Sequence, residues 1–327
     1  MAAIQGEPPV TVLSRQFFHD EAAAYTMLES ILWPFGPVCP HCGAIDRIYR
    51  IKPNKAKRVR LGLCKCGHCR GQFTVKVRTV FEQSHVPLNV WFQAVYLMCS
   101  SKKGISSNQL HRALGVTLKT AWFMSHRIRA AMDESAIKPI GGWGHIVEID
   151  ETFIGHDKTI KPKGEKKGRG AQHKYKVLSL VDRATGLSKS MVVDDVSART
   201  LVPIIRANVA RESRVMTDEA AQYRSLARYF ANHGTVHHTA DQYVSPTDPT
   251  VHTQTIEGYF SIFKRGMKGV YQHCGPQHLN RYLAEFDFRY SNRKALGIDD
   301  AERTIKALAG IVGKRLTYKS TGSQPQA

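Results

Sequence analysis

Apolar and polar positions alternate with two different periods along the chain, and the change of period divides it into segments. Between Val86 and Met132 apolar residues recur every three to four positions, which predicts helices with a short turn at Gly115. From His145 the period becomes two in three successive segments, and a helix and a further strand follow. This order predicts a mixed sheet covered by helices, in an α/β domain.

The first of these strands, with the sequence HIVEIDETFIG, places carboxylates among apolar residues. With a period of two, Val147 and Ile149 face one side of the strand while Glu148 and Asp150 face the other. A solvated sheet face explains this pattern as well as a functional site does, because exposed carboxylates are common. We expect Glu148 and Glu151 to be surface groups or to support a neighbouring site, and the role of Asp150 depends on acidic residues elsewhere in the chain.

Charge indicates the kind of partner. The chain has 327 residues, 47 Lys and Arg against 27 Asp and Glu, a net charge of +20 and a pI of about 9.8. Such a balance predicts a polyanionic partner, double-stranded DNA above all, with an anionic membrane surface as the competing one. No apolar run approaches the length of about 18 residues that a spanning helix needs, and the N-terminal residues lack a signal pattern. We therefore expect no membrane association and a cytoplasmic, nucleoid-associated protein. Residues 158–176, with eight Lys and Arg and one Glu, predict a mobile loop or a phosphate-contacting arm.

Two CxxC pairs predict a metal centre in the N-terminal part of the chain. CPHC contains Cys39 and Cys42, and CGHC contains Cys66 and Cys69. Two such turns supply the four soft ligands of a tetrahedral structural Zn²⁺ site. Cys64 leaves an alternative open, because it could replace Cys66 as the partner of Cys69.

The helices around Gly115 predict a helix-turn-helix. The span from Lys102 to Arg129 has no acidic residue. A basic second helix can enter the major groove of DNA, and we expect Lys119, Thr120 and Arg127 to contact it there. A helical hairpin that only packs within the protein is the alternative.

Three acidic residues form a candidate catalytic group, which we name the acidic triad: Asp150, Asp218 and Glu257. Asp218 ends a later apolar strand, and Glu257 lies on a following amphipathic helix. Carboxylates from these three elements can converge to bind two Mg²⁺ or Mn²⁺ ions for a phosphoryl displacement. Other acidic residues also lie at strand ends, but flanking a turn is the more usual role of Asp; these rivals are Asp182, Asp194 and Asp195.

Several ordered blocks resemble one family. They are FHDEAAAYTMLESILWPFGPVCPHCG, GISSNQLHRALGVTLKTAW, VEIDETFIG, TDEAAQY and EGYFSIFKRGMKGVYQH. Together they resemble the bacterial insertion-sequence DDE transposases that carry an N-terminal zinc ribbon (ISXO-like) and are related to the Merlin transposons of eukaryotes. One departure is Arg78 in KVRTVFE, where the resemblance leads us to expect Gly.

The resemblance implies a fold and a set of site residues. The expected fold is an α/β ribonuclease-H-like catalytic core, with a mixed five-stranded sheet flanked by helices, preceded by a zinc ribbon and a helix-turn-helix. The acidic triad takes the catalytic positions, and Lys264 matches the family's basic residue, which holds a phosphate near the scissile bond. We expect Arg265 and Lys268 to contact DNA phosphates beside it.

These expectations give a domain plan and a function. The plan is an N-terminal helical lead-in (1–35), a zinc ribbon (36–84), a helix-turn-helix (86–137), the catalytic domain (145–295) and a C-terminal tail (296–327). The expected function is a DNA transposase that binds terminal inverted repeats, cleaves element ends and transfers the 3′-hydroxyl to target DNA. The family also suggests a homodimer or larger assembly. The alternatives are a DNA-binding regulator or inactive remnant, and a nuclease or resolvase with the same metal chemistry.

Overall fold

The chain forms two structural units. The computed structural model describes residues 11–54, 56–57, 59–134, 139–156, 173–236, 244–245 and 248–316. Unit 1 contains Met1–Ser100, Ser107–Met132 and Asp300–Ala327, and unit 2 contains Ser101–Ser106 and Asp133–Asp299. Most of the basic segment predicted as a loop or arm, and the last eleven residues of the tail, lie outside the described part. Within the described part, none of the helices is long and apolar enough to cross a bilayer.

The secondary-structure elements follow the predicted order. The α-helices are α1 (Glu21–Leu32), α2 (Leu88–Ser100), α3 (Ser107–Leu114), α4 (Leu118–Ala131), α5 (Ala198–Asn208), α6 (Gln254–Gly266), α7 (Leu279–Ser291) and α8 (Asp300–Ala309). The strands are β1 (Ile48–Arg50), β2 (Cys64–Cys66), β3 (Gln72–Phe73), β4 (Ile146–Ile154), β5 (Tyr175–Asp182), β6 (Ser188–Val193), β7 (Arg214–Asp218) and β8 (Asn232–Val236).

Unit 1 combines a small antiparallel sheet, in the order β1-β2-β3, with a group of helices. Helices α3 and α4 pack together and are joined at Gly115, whose φ of +65° is a conformation that favours glycine. Thr117 caps α4, because its side chain accepts a hydrogen bond from the Thr120 amide. Helix α8 packs on α2, and Arg303 of α8 donates to the Cys99 carbonyl at 2.9 Å. The structure thus differs from the predicted C-terminal tail, because its first part forms this packed helix.

Unit 2 is built on a mixed five-stranded sheet in the order β6-β5-β4-β7-β8. The pairs β4–β5 and β5–β6 are antiparallel, whereas β7 and β8 continue parallel to β4. The prediction of a mixed sheet flanked by helices is confirmed. The sequence pattern did not predict β8, because only Val236 of this short edge strand is buried.

The two faces of the sheet pack against different helices, and this decides where each residue of β4 points. Val147 and Ile149 lie in one apolar cluster with residues of α5. Ile154 lies in a second cluster with Ile256 of α6 and Leu283 of α7. Glu148 and Asp150 share the second face by the alternation of the strand. The polar face of β4 is therefore directed toward α6 and α7 rather than toward solvent.

Candidate active site and metal centre

The four predicted zinc ligands form one cluster in unit 1. The sulfur atoms of Cys39, Cys42, Cys66 and Cys69 all lie within 4.8 Å of one another. The Sγ–Sγ distance is 3.6 Å between Cys39 and Cys69 and 3.7 Å between Cys42 and Cys66. A tetrahedral Zn²⁺ with Zn–S bonds of about 2.3 Å separates its sulfur ligands by roughly 3.8 Å. The four thiols therefore fit a structural zinc ion.

Cys66, and not Cys64, belongs to this cluster. The two residues are separated by one position on β2, so their side chains point to opposite sides of the strand. Cys64 is fully buried, and burial raises the pKa of its thiol. The backbone amide of Cys69, followed by other hydrogen bonds, lowers the pKa of the Cys66 thiol, whereas burial and the neighbouring thiols raise the pKa of the Cys69 thiol, so the cluster titrates as one group.

Asp150 and Asp218 lie side by side on adjacent parallel strands in unit 2. The register pairs Val147 with Val215 and Glu148 with Met216. Continued by two residues, this register sets Asp150 opposite Asp218, which is the last residue of β7. Both carboxylates then project from the same face of the sheet, at the end where the pairing of β4 with β7 stops.

Glu257, the third acid, interacts electrostatically with Asp150. Burial first, and then the charges of Glu151, Asp218 and Glu257, raise the pKa of Asp150 to about 8, although the Glu151 amide opposes this by donating to Asp150 Oδ1 at 2.7 Å. Glu257 lies in the first turn of α6 and its side chain is exposed. The charges of Asp218 and Glu257 thus act, with that of Glu151, on a half-buried carboxyl group. Carboxylate oxygens are ligands suited to Mg²⁺ or Mn²⁺, so the donor types of the triad fit hard divalent cations. Among the described residues only the four cysteines form a group with ligand atoms all within 4.8 Å of one another, so the three carboxylates are more widely spaced than the thiols.

The predicted phosphate contacts lie beyond Glu257 in the chain. Lys264 and Arg265 are exposed in the last turn of α6, and Lys264 is seven positions from Glu257, which returns to the same helix face. Lys268 is exposed on a single π-helical turn after the helix, Met267–Tyr271, so it is not part of α6. The Arg265 guanidinium donates to the Ser261 carbonyl at 3.1 Å. DNA contact by these three cations stays a prediction.

Glu148 is not a surface group, and this part of its prediction is wrong. Its side chain is fully buried. Arg183 Nε donates to Glu148 Oε1 at 2.5 Å, and the backbone amide of Ile256 in α6 donates to Glu148 Oε2 at 2.8 Å. The Arg183 guanidinium also donates to His252 Nδ1 at 3.0 Å. Burial first, and then Arg183, lower the pKa of His252, which favours a neutral ring that accepts from Arg183 over a cation paired with Glu148.

Glu151 is next to Asp150 in β4, but its side chain lies on the other face of the sheet. Gln222 Nε2 donates to Glu151 Oε1 at 3.1 Å. Burial raises the pKa of Glu151, and the charge of Asp218 adds to this effect, whereas the buried Tyr223 side chain and Gln222 favour the ionised form and lower it. The sequence analysis did not predict a role for Gln222 or Arg183. Gln222 lies in the block TDEAAQY, where only Asp218 was assigned a role, and Arg183 lies in none of the blocks that carry the resemblance.

The rival acidic residues have local structural roles. Asp182 ends β5 and accepts hydrogen bonds from His145 Nδ1 at 2.8 Å and from Thr185 Oγ1 at 2.7 Å. Asp195 accepts from the Ser197 amide at 2.7 Å, just before α5. The Asp194 backbone carbonyl accepts from a lysine side chain. These contacts are those of turn and helix-start residues.

The predicted DNA-contacting residues of α4 have different environments. Lys119 is exposed in the first turn, and Thr120 is half-buried with its hydroxyl 2.8 Å from that of Thr117. Arg127 does not fit the prediction, because its side chain is buried. It donates to the Glu82 carbonyl at 2.9 Å and lies over the Phe123 ring. Its charge serves the interior of unit 1 rather than a surface for DNA.

Comparison with known proteins defines the class. Residues 141–291 match the ISXO2-like transposase domain, and residues 19–72 match the transposase zinc-ribbon domain. The chain is thus a transposase with a zinc-ribbon domain and a DDE domain. It is similar to a Halobacterium salinarum protein described as "Uncharacterized protein in transposable element ISH50", with 29% identity over 292 residues, 83% of this chain and 91% of that protein. The chain belongs to the IS1595 family of insertion-sequence transposases.

One solved structure has a weaker likeness. It is the cryoEM structure of a simian T-cell lymphotropic virus intasome in complex with the PP2A regulatory subunit B56 gamma. The match covers 54% of this chain and 67% of that chain, with 17% sequence identity and a TM-score of 0.28. Similarity at this level carries no argument about the present protein.

Proposed function

We propose that this protein catalyses DNA transposition: it binds the terminal inverted repeats of its element, cleaves the element ends and joins the freed 3′-hydroxyl to target DNA. The observation that carries the proposal is the effect of the Asp218 and Glu257 charges on the half-buried Asp150 carboxyl, within the segment that matches a DDE transposase domain. The strand order of unit 2, with three antiparallel strands followed by two strands parallel to β4, supports assignment to the ribonuclease-H-like folds.

Asp150, Asp218 and Glu257 hold the divalent cations in this proposal. These three carboxylates would hold two Mg²⁺ or Mn²⁺ ions, which would supply activation of the nucleophile and stabilisation of the leaving oxygen of a phosphodiester. Asp150 must lose its proton when it becomes a ligand, and its raised pKa means that the site favours a compensating positive charge. Lys264 holds a DNA phosphate near the scissile bond, and Arg265 and Lys268 contact neighbouring phosphates.

DNA binding is assigned to both units. The surplus of Lys and Arg supplies the electrostatic attraction to the phosphate backbone. In unit 1 the zinc ribbon and the exposed start of α4, with Lys119 and Thr120, form the recognition surface, and Arg127 is excluded from it because it is buried. Joining two element ends requires two active sites, so a homodimer or a larger assembly is proposed for the complex with DNA.

The test is strand transfer of a labelled element end into a plasmid in Mg²⁺, comparing the wild type with Glu257→Gln. The expected result is end cleavage and joining by the wild type, and loss of both in the variant while end binding persists. Glu212→Gln is the matched control, because Glu212 is also an exposed glutamate of unit 2 but lies outside the acidic triad.

The other outcomes separate the alternatives. Tight binding of DNA without nicking or joining, by the wild type and both variants, would support a regulator or an inactive remnant. Metal-dependent nicking without joining would support a nuclease or resolvase.

A further inference from the structure

Glu148 links the strand that carries Asp150 to the helix that carries Glu257. It lies two residues before Asp150 on the same face of β4, and its Oε2 accepts a hydrogen bond from the Ile256 amide at 2.8 Å. Ile256 is the residue immediately before Glu257 in α6. Residues two apart on a strand are separated by about 7 Å. The hydrogen bond therefore joins the two elements within one or two residues of the two acids.

Helix α6 receives this hydrogen bond in its first turn. The N-cap residue, Thr253, makes no side-chain capping hydrogen bond to the helix backbone. The first turn of any helix has amide groups that lack partners within the helix. Glu148 satisfies one of them from a neighbouring strand, and its negative charge lies at the positive end of the helix dipole.

Arg183 completes the arrangement from the turn after β5. Its Nε donates to Glu148 Oε1 at 2.5 Å, and it donates to the backbone carbonyls of Thr250 and His252, at 2.6 Å in each case. These carbonyls belong to the segment that leads into α6. One guanidinium thus neutralises the buried carboxylate and fixes the approach to the helix, in the planar geometry that arginine provides.

We propose that Glu148 is a positioning residue which, together with Arg183, holds α6 so that Glu257 lies opposite Asp150 and Asp218. This inference rests on the proposed function, because it concerns the geometry of the same metal site. This positioning role of Glu148 differs from the general stabilising role of a buried ion pair. A stabilising pair affects the unfolding temperature alone, whereas a positioning pair also affects the metal affinity of the folded protein.

Glu148→Gln is the informative substitution, because it keeps the size of the side chain. A glutamine can accept from the Ile256 amide with its oxygen, but its NH2 group then faces the Arg183 donor, and the reverse orientation loses the helix contact. Arg183→Lys is the second variant, since it retains the charge but lacks the planar set of donors that reaches both carbonyls. Its milder change keeps the test usable if Glu148→Gln does not fold.

Unit 2 also offers a matched control. Glu285 is fully buried and forms an ion pair with Arg289 within α7, so Glu285→Gln also removes one charge from a buried glutamate–arginine pair. It does not touch the start of α6 in any described contact. Both glutamine variants should lower the unfolding temperature, and only Glu148→Gln should affect the acidic triad.

The experiment measures two properties of the full-length protein. Hydrogen exchange of the peptide covering residues 254–258 reports on the helix start. Mn²⁺ titration followed by electron paramagnetic resonance reports on the metal site, with Asp150→Asn defining the site-specific fraction. We expect Glu148→Gln to accelerate exchange in this peptide and to raise the Mn²⁺ dissociation constant by about 10- to 100-fold, the usual effect of removing a group that orients metal ligands. Arg183→Lys should shift both in the same direction by less, and Glu285→Gln should change neither.

The possible failures are distinguishable. Unchanged exchange in Glu148→Gln, or faster exchange with unchanged Mn²⁺ affinity, would overturn the positioning role while leaving the proposed function intact. An equal loss of affinity in Glu285→Gln would reduce the effect to general destabilisation. If the wild type shows no Asp150-dependent Mn²⁺ binding, the proposed function fails in the wild type itself, and the positioning role fails with it.

Discussion

The half-buried carboxyl of Asp150 should make the stability of unit 2 depend on pH, and Asp150→Asn should remove that dependence. Its pKa is raised from 3.8 to about 8, chiefly by burial and further by three neighbouring carboxylates. Between these values the folded state holds a proton that the unfolded chain has released. The free energy of unfolding therefore falls as the pH rises through this window. Asparagine keeps the shape of the protonated acid and does not titrate.

The magnitude follows from the shift. One pH unit of pKa difference corresponds to about 1.4 kcal/mol, so the full effect has an upper limit of about 6 kcal/mol. Part of this loss of stability has already occurred at pH 5, because the carboxyl group of the unfolded chain is mostly ionised there. Between pH 5 and pH 9 the stability advantage of Asp150→Asn over the wild type should grow by up to about 4 kcal/mol. Comparing the two proteins at each pH cancels the contributions of groups that titrate alike in both.

The assay is urea unfolding of both proteins at pH 5, 7 and 9, with hydrogen exchange in β4 and β7 to assign the transition to unit 2. Divalent cations are removed with a chelating resin that leaves the four-cysteine zinc in place. Adding Mg²⁺ at pH 8 should stabilise the wild type more than the variant, because deprotonated carboxylates bind the cation. A stability advantage that is the same at pH 5 and at pH 9 would refute the desolvated environment, close to three other carboxylates, assigned to Asp150.

Three further predictions concern unit 1. Cys66→Ser should lose bound zinc in elemental analysis of the purified protein, whereas Cys64→Ser should retain it, because only the former removes a ligand. Arg78 has an exposed side chain and a φ of +58°, a backbone conformation that is strained for residues other than glycine. Arg78→Gly should therefore raise the free energy of unfolding by about 1 kcal/mol in urea titrations, and an unchanged or lower value would contradict this strain. Lys119→Ala should weaken binding to element ends and reduce the salt dependence of the affinity by about one ion, whereas Arg127→Ala should destabilise the protein by about 1–3 kcal/mol with an unchanged salt slope.

Local patterns of the sequence predicted the parts of the structure that depend on local spacing. The CxxC turns predicted the cysteine cluster, and the period of two predicted β4 and its two faces. Arg78 adopts a left-handed backbone conformation at the position where the resemblance led us to expect glycine. The resemblance therefore indicated a turn that an arginine at this position does not suggest by itself. In each case, residues close in sequence determine the geometry.

Burial of charged residues could not be predicted in the same way. The absence of acidic residues around α4 suggested a surface for DNA, yet Arg127 is buried and forms no ion pair among the described residues. It donates to the Glu82 carbonyl, 45 positions away, and lies over the Phe123 ring, while the Glu82 charge only partly offsets the cost of its burial. A backbone acceptor leaves no trace in the sequence. Arg183 was missed for a similar reason, because two of its partners are carbonyls of a segment almost 70 positions later.

Glu148 and Asp150 show why the same alternation can produce two different roles. Both carboxylates project from one face of β4, and the alternation of the strand alone does not distinguish them. Glu148 has its charge matched by Arg183 and by the amide at the start of α6, so its partners are permanent parts of the protein. Asp150 accepts from the Glu151 amide and otherwise faces the carboxylates of Asp218 and Glu257, which oppose its ionisation. A divalent cation relieves this opposition at Asp150 and would be redundant at Glu148. The balance of surrounding charge, rather than the position in the strand, therefore identifies which carboxylate is suited to hold metal and which is suited to hold the helix.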